Sequence, residues 1–348
     1  MSIKPGALRF NTDSMKLEIF RGSANYEGTA SMAGIGTLAA GQWEEIQATS
    51  PEAQTGGTRG VAGGGGHPTN YDIIDYITID TTGNALDFGD LSSTPRFHGT
   101  CSSRSRGIFA GGYVAPGAVD TIEYITISST GDAINFGNLT VARWGVAGVS
   151  NGTRGAFGGS GPTLATTIDY ITIASTGDAR DFGDLTVARR EVAACGSSTR
   201  GLYGAGIAPT ATNSIDFITI STQGNAADFG DLVVVETRRA ASSSSIRGIF
   251  GGGGSPVIND AMDYVTIATL GNALDFGNLT SARDDLGSCS SSTRSVFMGG
   301  DNNPSGVGNS DIIDYVQIMS TGNAVDFGDL TQGRGEGVSA LSNGHGGL

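Results

Sequence analysis

Cationic side chains are scarce in this sequence. Its 348 residues include 20 Lys and Arg against 34 Asp and Glu, which gives a formal net charge of −14. A surface with this excess of negative charge repels phosphate backbones and anionic lipids, so we expect no nucleic-acid partner. No apolar run approaches the roughly 20 residues of a membrane-spanning helix, and the first residues do not form a signal peptide, so we expect no membrane insertion.

Cysteine and histidine are scarce as well. The chain has 3 of each, at Cys101, Cys195, Cys289, His67, His98 and His345. An odd number of cysteines without a CxxC pair argues against a disulfide framework, and no two histidines have the spacing of a zinc site. The sequence therefore predicts no metal and no cofactor, and it contains no recognisable set of catalytic residues.

Glycine, by contrast, is abundant, with 57 residues, and it accompanies an internal repeat of about 47 residues. An arginine, an aromatic residue and a second aromatic residue recur six times. The arginines are Arg59, Arg106, Arg154, Arg200, Arg247 and Arg294, and the aromatic pairs are Tyr76/Phe88, Tyr124/Phe136, Tyr170/Phe182, Phe217/Phe229, Tyr264/Phe276 and Tyr315/Phe327. Each copy divides into four strand-like segments separated by Gly, Asn and Asp turns, which is typical of a propeller blade. We therefore predict an all-β fold, a six-bladed β-propeller over residues 51–348.

The end of the sequence predicts how this ring closes. Residues 337–344 (GVSALSNG) repeat the first-strand segment at residues 145–152 (GVAGVSNG), but no second strand follows them. The first repeat, conversely, begins at its second strand. We therefore expect the C-terminal strand to complete the first blade, which removes a free sheet edge. A β-solenoid is the rival architecture, but it would need capping ends instead of this closure.

The blade resembles the kelch repeat, in which an arginine precedes the first strand, a glycine pair ends the second, an aromatic residue lies on the third and a tryptophan on the fourth. One copy of the repeat has Arg143, Gly158, Gly159, Tyr170 and Phe182 at these positions. The resemblance covers about residues 56–348 and implies four-stranded blades. Phenylalanine in place of tryptophan departs from the kelch pattern in every copy.

A second resemblance concerns residues 1–50. Residues 5–21 (PGALRFNTDSMKLEIFR) and 43–46 (WEEI) resemble a short β-module of tailed-phage virion proteins. The whole chain is also similar to repeat-rich structural proteins of marine cyanobacterial phages. These resemblances imply that residues 1–50 form a small β-module for virion attachment or oligomerisation. Its candidate residues are Leu8, Phe10, Leu17, Phe20 and Trp43.

Two acidic motifs recur in the repeats. One is an acid before each third-strand aromatic residue: Asp75, Glu123, Asp169, Asp216, Asp263 and Asp314. The other is Asp-Phe-Gly, which holds magnesium in protein kinases, but here no glycine-rich ATP loop or catalytic-loop motif accompanies it. Because an active site breaks the symmetry of a ring, we interpret both motifs as structural. We expect the recurring arginines to pair either with these acids or with Asp90, Asp184, Asp231 and Asp329.

The connection between the second and third strands varies most among the copies. In a propeller all six of these loops emerge on one face, and variation confined to one face indicates a contact surface, although exposed loops also change freely. The candidate contact residues are His67, Asn70, Tyr71, Tyr113, Asn213, Asn259, Asp301, Asn302 and Asn303.

The sequence thus predicts a non-enzymatic phage virion protein, made in the host cytoplasm. It would be a tail-fibre or other appendage component that presents its propeller to a host-surface glycan or to other virion proteins, and it could act as a homo-oligomer. Two alternatives stay open. One is a cellular propeller that scaffolds protein–protein interactions, and the other is a glycan-processing enzyme, which would need a pair of acids at the propeller axis.

Overall fold

The computed structural model describes residues 8–11, 16–21 and 42–45 as strands, and describes residues 58–66, 68–254, 257–303 and 308–348 throughout. The chain divides into two compact units, Met1–Ala53 and Gln54–Leu348. The regular secondary structure of the described residues is entirely β. Within these residues no helix is long and apolar enough to cross a membrane.

The N-terminal unit contains an antiparallel sheet of three strands: Leu8–Asn11, Lys16–Arg21 and Gln42–Glu45. Phe10 lies opposite Leu17 where the first strand pairs with the second, and Phe20 lies opposite Trp43 where the second pairs with the third. Leu8 begins the first strand. The predicted small β-module is therefore confirmed, and its role in attachment stays a prediction.

The second unit is a six-bladed β-propeller, as predicted. Each blade is an antiparallel sheet of four strands that follow one another from the axis outwards. In blades 1 to 6 the first, innermost strands are Ser339–Ser342, Gly99–Ser102, Ala147–Ser150, Ala193–Gly196, Ala240–Ser243 and Gly287–Ser290. The second strands are Arg59–Gly63, Arg106–Ala110, Arg154–Gly158, Arg200–Gly204, Arg247–Gly251 and Arg294–Met298. The third strands are Ile73–Thr78, Thr121–Thr126, Thr167–Thr172, Ser214–Thr219, Ala261–Thr266 and Ile312–Gln317. The fourth, outermost strands are Leu86–Asp90, Ile134–Asn138, Arg180–Asp184, Ala227–Asp231, Leu274–Asn278 and Val325–Asp329.

The ring closes through the C-terminal strand. Ser339–Ser342 pairs antiparallel with Arg59–Gly63, with Leu341 opposite Val61. Blade 1 therefore combines strands from both ends of the repeat region, and the predicted closure is confirmed. Leu341 is 4 % exposed and joins the cluster of buried side chains between blades 1 and 2.

The repeated aromatic residues and arginines form a stack in every blade. The third-strand ring meets the fourth-strand phenylalanine edge to face, with centroids between 5.8 and 6.3 Å apart. The repeated arginine lies over the same third-strand ring, 4.2 to 4.8 Å from its centroid. Its guanidinium also donates to a backbone carbonyl of the next blade, as Arg59 does to Ile127 at 2.7 Å.

Among the described residues, these arginines form an ion pair neither with the recurring acids nor with Asp90, Asp184, Asp231 and Asp329, so the predicted pairing is wrong. The acids are buried and bind a second set of arginines, which lie just before the innermost strands: Arg143–Asp169, Arg189–Asp216, Arg239–Asp263, Arg283–Asp314 and Arg334–Asp75. These five pairs are between 2.5 and 3.1 Å long. The first set instead covers aromatic rings, because it starts the second strand and points away from the acids.

The Asp-Phe-Gly motif joins neighbouring blades. In all six junctions the glycine of the turn before a fourth strand donates its N–H to the motif phenylalanine carbonyl of the preceding blade, at 2.7 to 2.9 Å. A side chain on the motif glycine would block this approach, since a Cβ on Gly89 would lie 2.6 Å from the carbonyl of Gly131. Each outer strand edge is thereby covered by the next blade, which protects it from pairing with another chain.

Near the axis, a side chain of each first strand packs on the second strand of the next blade, where a glycine usually stands. A Cβ on Gly248 would lie 2.7 Å from Cys195 Sγ, and one on Gly60 would lie 2.6 Å from Cys289 Sγ. Between blades 5 and 6 the glycine is replaced by Ser295, and the facing residue is the small Ser242, to which it hydrogen-bonds. The three cysteines are buried and free, so they act here as packing groups.

We expect Gly248→Ala to destabilise the propeller by about 1–3 kcal/mol, because the new methyl group overpacks the blade 4–5 junction. Cys195→Ala removes the clashing sulfur, so the double variant should be more stable than the sum of the two single changes by about 1 kcal/mol. Urea unfolding of the four proteins measures this coupling. Gly152→Ala is the control, since a Cβ there would meet nothing within 4 Å. Strict additivity of the two changes would contradict the packing described.

Candidate functional site at the axial mouth

One end of the propeller carries both the variable loops and the segments that lead into the innermost strands. The two lie side by side because successive strands are antiparallel, and backbone hydrogen bonds join them in several blades. Tyr113 donates to the carbonyl of Arg96 at 2.8 Å, and Asp301 donates to that of Asp284, also at 2.8 Å. The predicted single-face arrangement of the loops therefore agrees with the strand order.

Six residues surround the axis at this end, each placed two positions before an innermost strand. They line an axial cavity of about 160 Å³. We call this ring of residues, with the residue that precedes each of them, the axial mouth. The six are Phe97, Gly145, Glu191, Arg238, Asp285 and Gly337.

All six ring residues have backbones in the left-handed region, with φ between 53° and 72°. Glycine adopts this conformation without steric penalty, and Gly145 and Gly337 do so in blades 3 and 1. In the other four blades the position holds Phe97, Glu191, Arg238 and Asp285, for which such a backbone costs on the order of 1–3 kcal/mol each. Backbone conformation alone would favour glycine throughout, so these four side chains make the axial end a candidate functional site.

Arg238 lies at the centre of an ion cluster that links three blades. Its guanidinium is 3.2 Å from Glu191 Oε2, 3.5 Å from Asp284 Oδ2 and 3.7 Å from Asp285 Oδ2. Glu191 also pairs with Arg190 at 3.3 Å. None of these contacts has an equivalent among the repeated ion pairs, so the cluster breaks the six-fold symmetry of the propeller.

The surroundings of Asp284 and Asp285 disfavour the ionised form of both carboxyl groups. Burial raises the pKa of Asp284 to about 6, although Arg238 opposes the shift. Burial also raises the pKa of Asp285 well above its usual range, and the negative charges of Asp284, Glu191 and Glu336 add to that effect against the attraction of Arg238. No described group donates a hydrogen bond to the buried Oδ2 of Asp285. Such perturbed, buried carboxyls cluster at functional sites.

An aromatic group lies on blades 2 and 3 of the mouth. The rings of Phe97 and Trp144 are 5.5 Å apart and tilted by 43°. The guanidinium of Arg190 lies 5.3 Å from the centre of the Trp144 ring, and that of Arg96 lies 5.0 Å from the centre of Tyr113. Arg96 also forms a short ion pair with Glu336. The mouth therefore combines apolar rings with both acceptors and donors of hydrogen bonds.

The wall of the axial cavity is formed by small, uncharged side chains of the innermost strands. Its innermost-strand residues include Thr100, Gly148, Ala194, Ala241 and Ser288. These positions carry no charged side chain. The charged residues that line the cavity are Glu191, Arg238 and Asp285 of the axial mouth, and Arg239, which pairs with Asp263.

The opposite end of the cavity is covered by residues 345–347. His345 Nε2 lies 3.1 Å from the carbonyl of Ser102 and 3.2 Å from Ser150 Oγ, and Gly346 donates to the carbonyl of Ser243 at 2.9 Å. Burial lowers the pKa of His345 to about 4, so this imidazole is neutral at pH 7. Access to the cavity is therefore from the axial mouth.

A ring of serines supports that covered end. The hydroxyl at the last position of an innermost strand donates to the carbonyl of the same position in the preceding blade: Ser102 to Ser342, Ser150 to Ser102, Ser243 to Gly196, Ser290 to Ser243 and Ser342 to Ser290, at 2.5 to 2.8 Å. Gly196 has no hydroxyl to continue the ring. At this gap the carbonyls of Gly196 and Ser150 instead lie against Gly346 and Gly347.

The predicted contact residues have several different surroundings. Asn302 and Asn303 are exposed, and Tyr71 and Tyr113 are half-buried. The Asn213 amide donates to the carbonyl of Leu232 at 3.1 Å, so this side chain holds its own loop in place.

Three further predicted residues are also half-buried. Asn259 Oδ1 accepts from the N–H of Ala261 at 2.7 Å, and Asp301 Oδ1 accepts from that of Asn303 at 2.8 Å. Asn70 Oδ1 is buried and accepts no hydrogen bond from the described residues. His67 lies outside the described residues.

Sequence reasoning missed the axial mouth. Its signal was the short segment before each innermost strand, which reads Arg-Phe, Trp-Gly, Arg-Glu, Thr-Arg, Asp-Asp and Glu-Gly in blades 2 to 6 and then 1. This segment varies in charge and aromatic content as much as the loops do. It is flanked by regular strands, however, and only the ring geometry brings its six copies together.

Comparison with known proteins adds no family to this geometry. No protein-family model matches the chain, and no curated protein has significant similarity to it. Among the described residues, no three His, Cys, Asp or Glu side chains are placed to share a metal ion. The argument for function therefore depends on the axial mouth itself.

We expect Asp285→Asn to stabilise the protein at pH 7 and to raise its melting temperature. Because the folded pKa of Asp285 is raised, its ionisation disfavours folding. This penalty is absent below the unfolded pKa near 4 and grows as the pH rises towards the folded value. Thermal unfolding followed between pH 4 and pH 8 should show the gain shrink with acidity. Asp326→Asn, at an exposed position, is the control, and a lower melting temperature for Asp285→Asn at pH 7 would contradict the assignment.

Proposed function

We propose that this protein is a binding component of a phage virion appendage, which presents the axial mouth and the adjoining loops to a glycan on the host surface. The observation that carries the binding role is the use of Phe, Glu, Arg and Asp at ring positions whose backbone favours glycine. Strain of this kind persists where the surrounding structure serves a function.

The chemistry of the mouth supports a glycan as the partner. Aromatic rings pack against the C–H faces of sugars, and carboxylates and guanidinium groups bind sugar hydroxyls. Phe97, Trp144, Glu191, Arg238 and Asp285 supply both kinds of contact within one end of the propeller. A net charge of −14 favours an uncharged partner over a nucleic acid.

The virion part of the proposal is supported by the N-terminal unit. Its three-stranded sheet is built from the segments that resemble a β-module of tailed-phage virion proteins. In this proposal the sheet attaches the protein to other virion proteins or joins copies of the chain. The propeller, as a separate compact unit, is then free to carry the recognition surface.

We expect the full chain to be present in purified phage particles and to adsorb to the cells that the phage infects. Mass spectrometry and immunogold labelling of particles test the first point, and binding of fluorescently labelled protein to cells tests the second. Treating the cells with periodate, which oxidises sugar diols, should abolish adsorption, whereas protease treatment should not. Absence of the protein from particles would overturn the virion assignment. Adsorption that resists periodate would overturn the glycan assignment.

A second candidate function is glycan hydrolysis, which the non-repeated carboxyls of the axial mouth favour. Asp284 and Asp285 lie within 3.7 Å of the same Arg238 nitrogen, so the two groups are close together. With its pKa raised to about 6, Asp284 suits a general acid. Arg238 pairs with both carboxyls, and for this reason we place binding before hydrolysis.

Hydrolysis predicts that the protein shortens the surface polysaccharide of its host cells. We would incubate the two together and measure new reducing ends and the size distribution of the polysaccharide. An enzyme should lose at least about a hundredfold in rate on Asp284→Asn, because a general acid contributes roughly 10²–10⁴-fold. Binding without any shortening between pH 4 and pH 8 would exclude the second candidate and leave the first intact.

A further inference from the structure

We propose that the axial mouth holds a single saccharide ring, which donates hydroxyl groups to Asp285 and Glu191 and packs its apolar face on Phe97. This inference rests on the proposed glycan-binding function and locates it at the axis, at the centre of the six loops. Three features of the mouth carry it: an unsatisfied acceptor, a balance of charge and a cavity of suitable shape.

The unsatisfied acceptor is Asp285 Oδ2. The Asp285 side chain is only 3 % exposed, lines the cavity and pairs with Arg238 at 3.7 Å. No described group donates a hydrogen bond to this oxygen. A buried acceptor without a donor carries a desolvation penalty, which a ligand hydroxyl at this place would remove. A ligand that enters along the axis and donates a hydrogen bond would therefore satisfy Asp285 Oδ2.

Because the axial mouth holds both positively charged and acidic side chains, it favours a neutral hydrogen-bond donor over a cation. The mouth holds Arg96, Arg190 and Arg238 together with Glu191, Asp284, Asp285 and Glu336. An ammonium group would meet the guanidinium of Arg238 beside the carboxyls. A sugar instead donates from its hydroxyls to Asp285 and Glu191 and accepts from Arg238 with its oxygens, so it can satisfy groups of both signs.

The shape of the cavity admits one ring and excludes a chain that passes through. The cavity measures about 160 Å³, its wall residues are small, and residues 345–347 cover its far end. Phe97 lies at the entrance with its ring 5.5 Å from that of Trp144. A terminal sugar can enter to the depth of Asp285, while the rest of the glycan extends over the loops.

The two informative variants are expected to fold well. Phe97→Gly places in blade 2 the residue that Gly145 and Gly337 already supply in blades 3 and 1, and it relieves the left-handed strain. Asp285→Asn removes a buried anion. Loss of binding in these variants therefore cannot be attributed to unfolding, and melting temperatures at pH 7 verify this. Asp326→Asn on the exposed fourth strand of blade 6 is the matched control.

The experiment uses the full chain with Trp43→Phe. The sequence has 2 tryptophans, so Trp144 at the mouth becomes the single reporter. Its fluorescence is followed during titration with the methyl glycosides of glucose, galactose, mannose, rhamnose, fucose and N-acetylglucosamine. We expect at least one glycoside to change the signal with saturation. Phe97→Gly and Asp285→Asn should each weaken this binding about tenfold or more, the cost of a lost contact to a charged or buried group. Asp326→Asn should leave it unchanged.

Two outcomes would overturn the inference. One is that no glycoside of the panel produces a saturable change, and the other is that Phe97→Gly and Asp285→Asn bind as tightly as the parent protein. Periodate-sensitive adsorption to cells, measured in parallel with the same variants, separates this failure from that of the proposed function. If adsorption persists unchanged in both variants, the protein binds glycans through its loops and the axial assignment is wrong.

Discussion

The close approach of backbones between neighbouring blades is the constraint on which the rest of the structure depends. A turn glycine of one blade donates to the motif phenylalanine carbonyl of the preceding blade in all six junctions. Side chains there would prevent the contact, since a Cβ on Gly328 would lie 2.5 Å from the carbonyl of Gly83. Because each outer edge is covered in this way, the blades need no other protection from edge-to-edge association.

This constraint explains which residues repeat and which do not. Glycines, motif phenylalanines and aromatic–arginine stacks recur because every junction has the same geometry. The buried acid–arginine pairs recur in five blades for the same reason. In blade 2 the acid is Glu123, which accepts from the Ser92 hydroxyl, just as Asp169 accepts from the Thr140 hydroxyl in blade 3 in addition to its arginine. The axial mouth lies outside these contacts, and its side chains differ from blade to blade.

The residues of the axial mouth are not those that would make the protein most stable. Arg238 is a non-glycine residue in the left-handed region, and it gathers three carboxyls from blades 4 and 6. Glycine at the ring positions and neutral groups near them would be the more stable choice. Natural proteins retain destabilising residues where activity requires them. The stabilisation that we expect for Asp285→Asn would identify Asp285 as a destabilising residue.

The repeat was sufficient to predict the number of blades, their four strands and the closing strand, because each of these is a periodic feature of one chain. The partners of the buried acids could not be predicted in the same way. Arg59 is nearer to Asp75 in repeat register than Arg334 is, yet Arg334 binds Asp75, because the direction in which each segment presents its side chain decides the pairing. A contact between two strands depends on the direction of their side chains, which the repeat pattern alone does not specify.

The same limit applies to the candidate site. The variable loops lie at the same end of the propeller as the axial mouth, but Asn213, Asn259 and Asp301 hold their own loops in place. The residues that converge, among them Phe97, Glu191 and Asp285, are far apart in sequence and share no motif. Their common property is a position two residues before an innermost strand, and the six-fold ring turns that position into a single site. In a closed propeller, therefore, residues that are far apart along the chain can meet at the axis, and no single segment of the sequence reveals that they do.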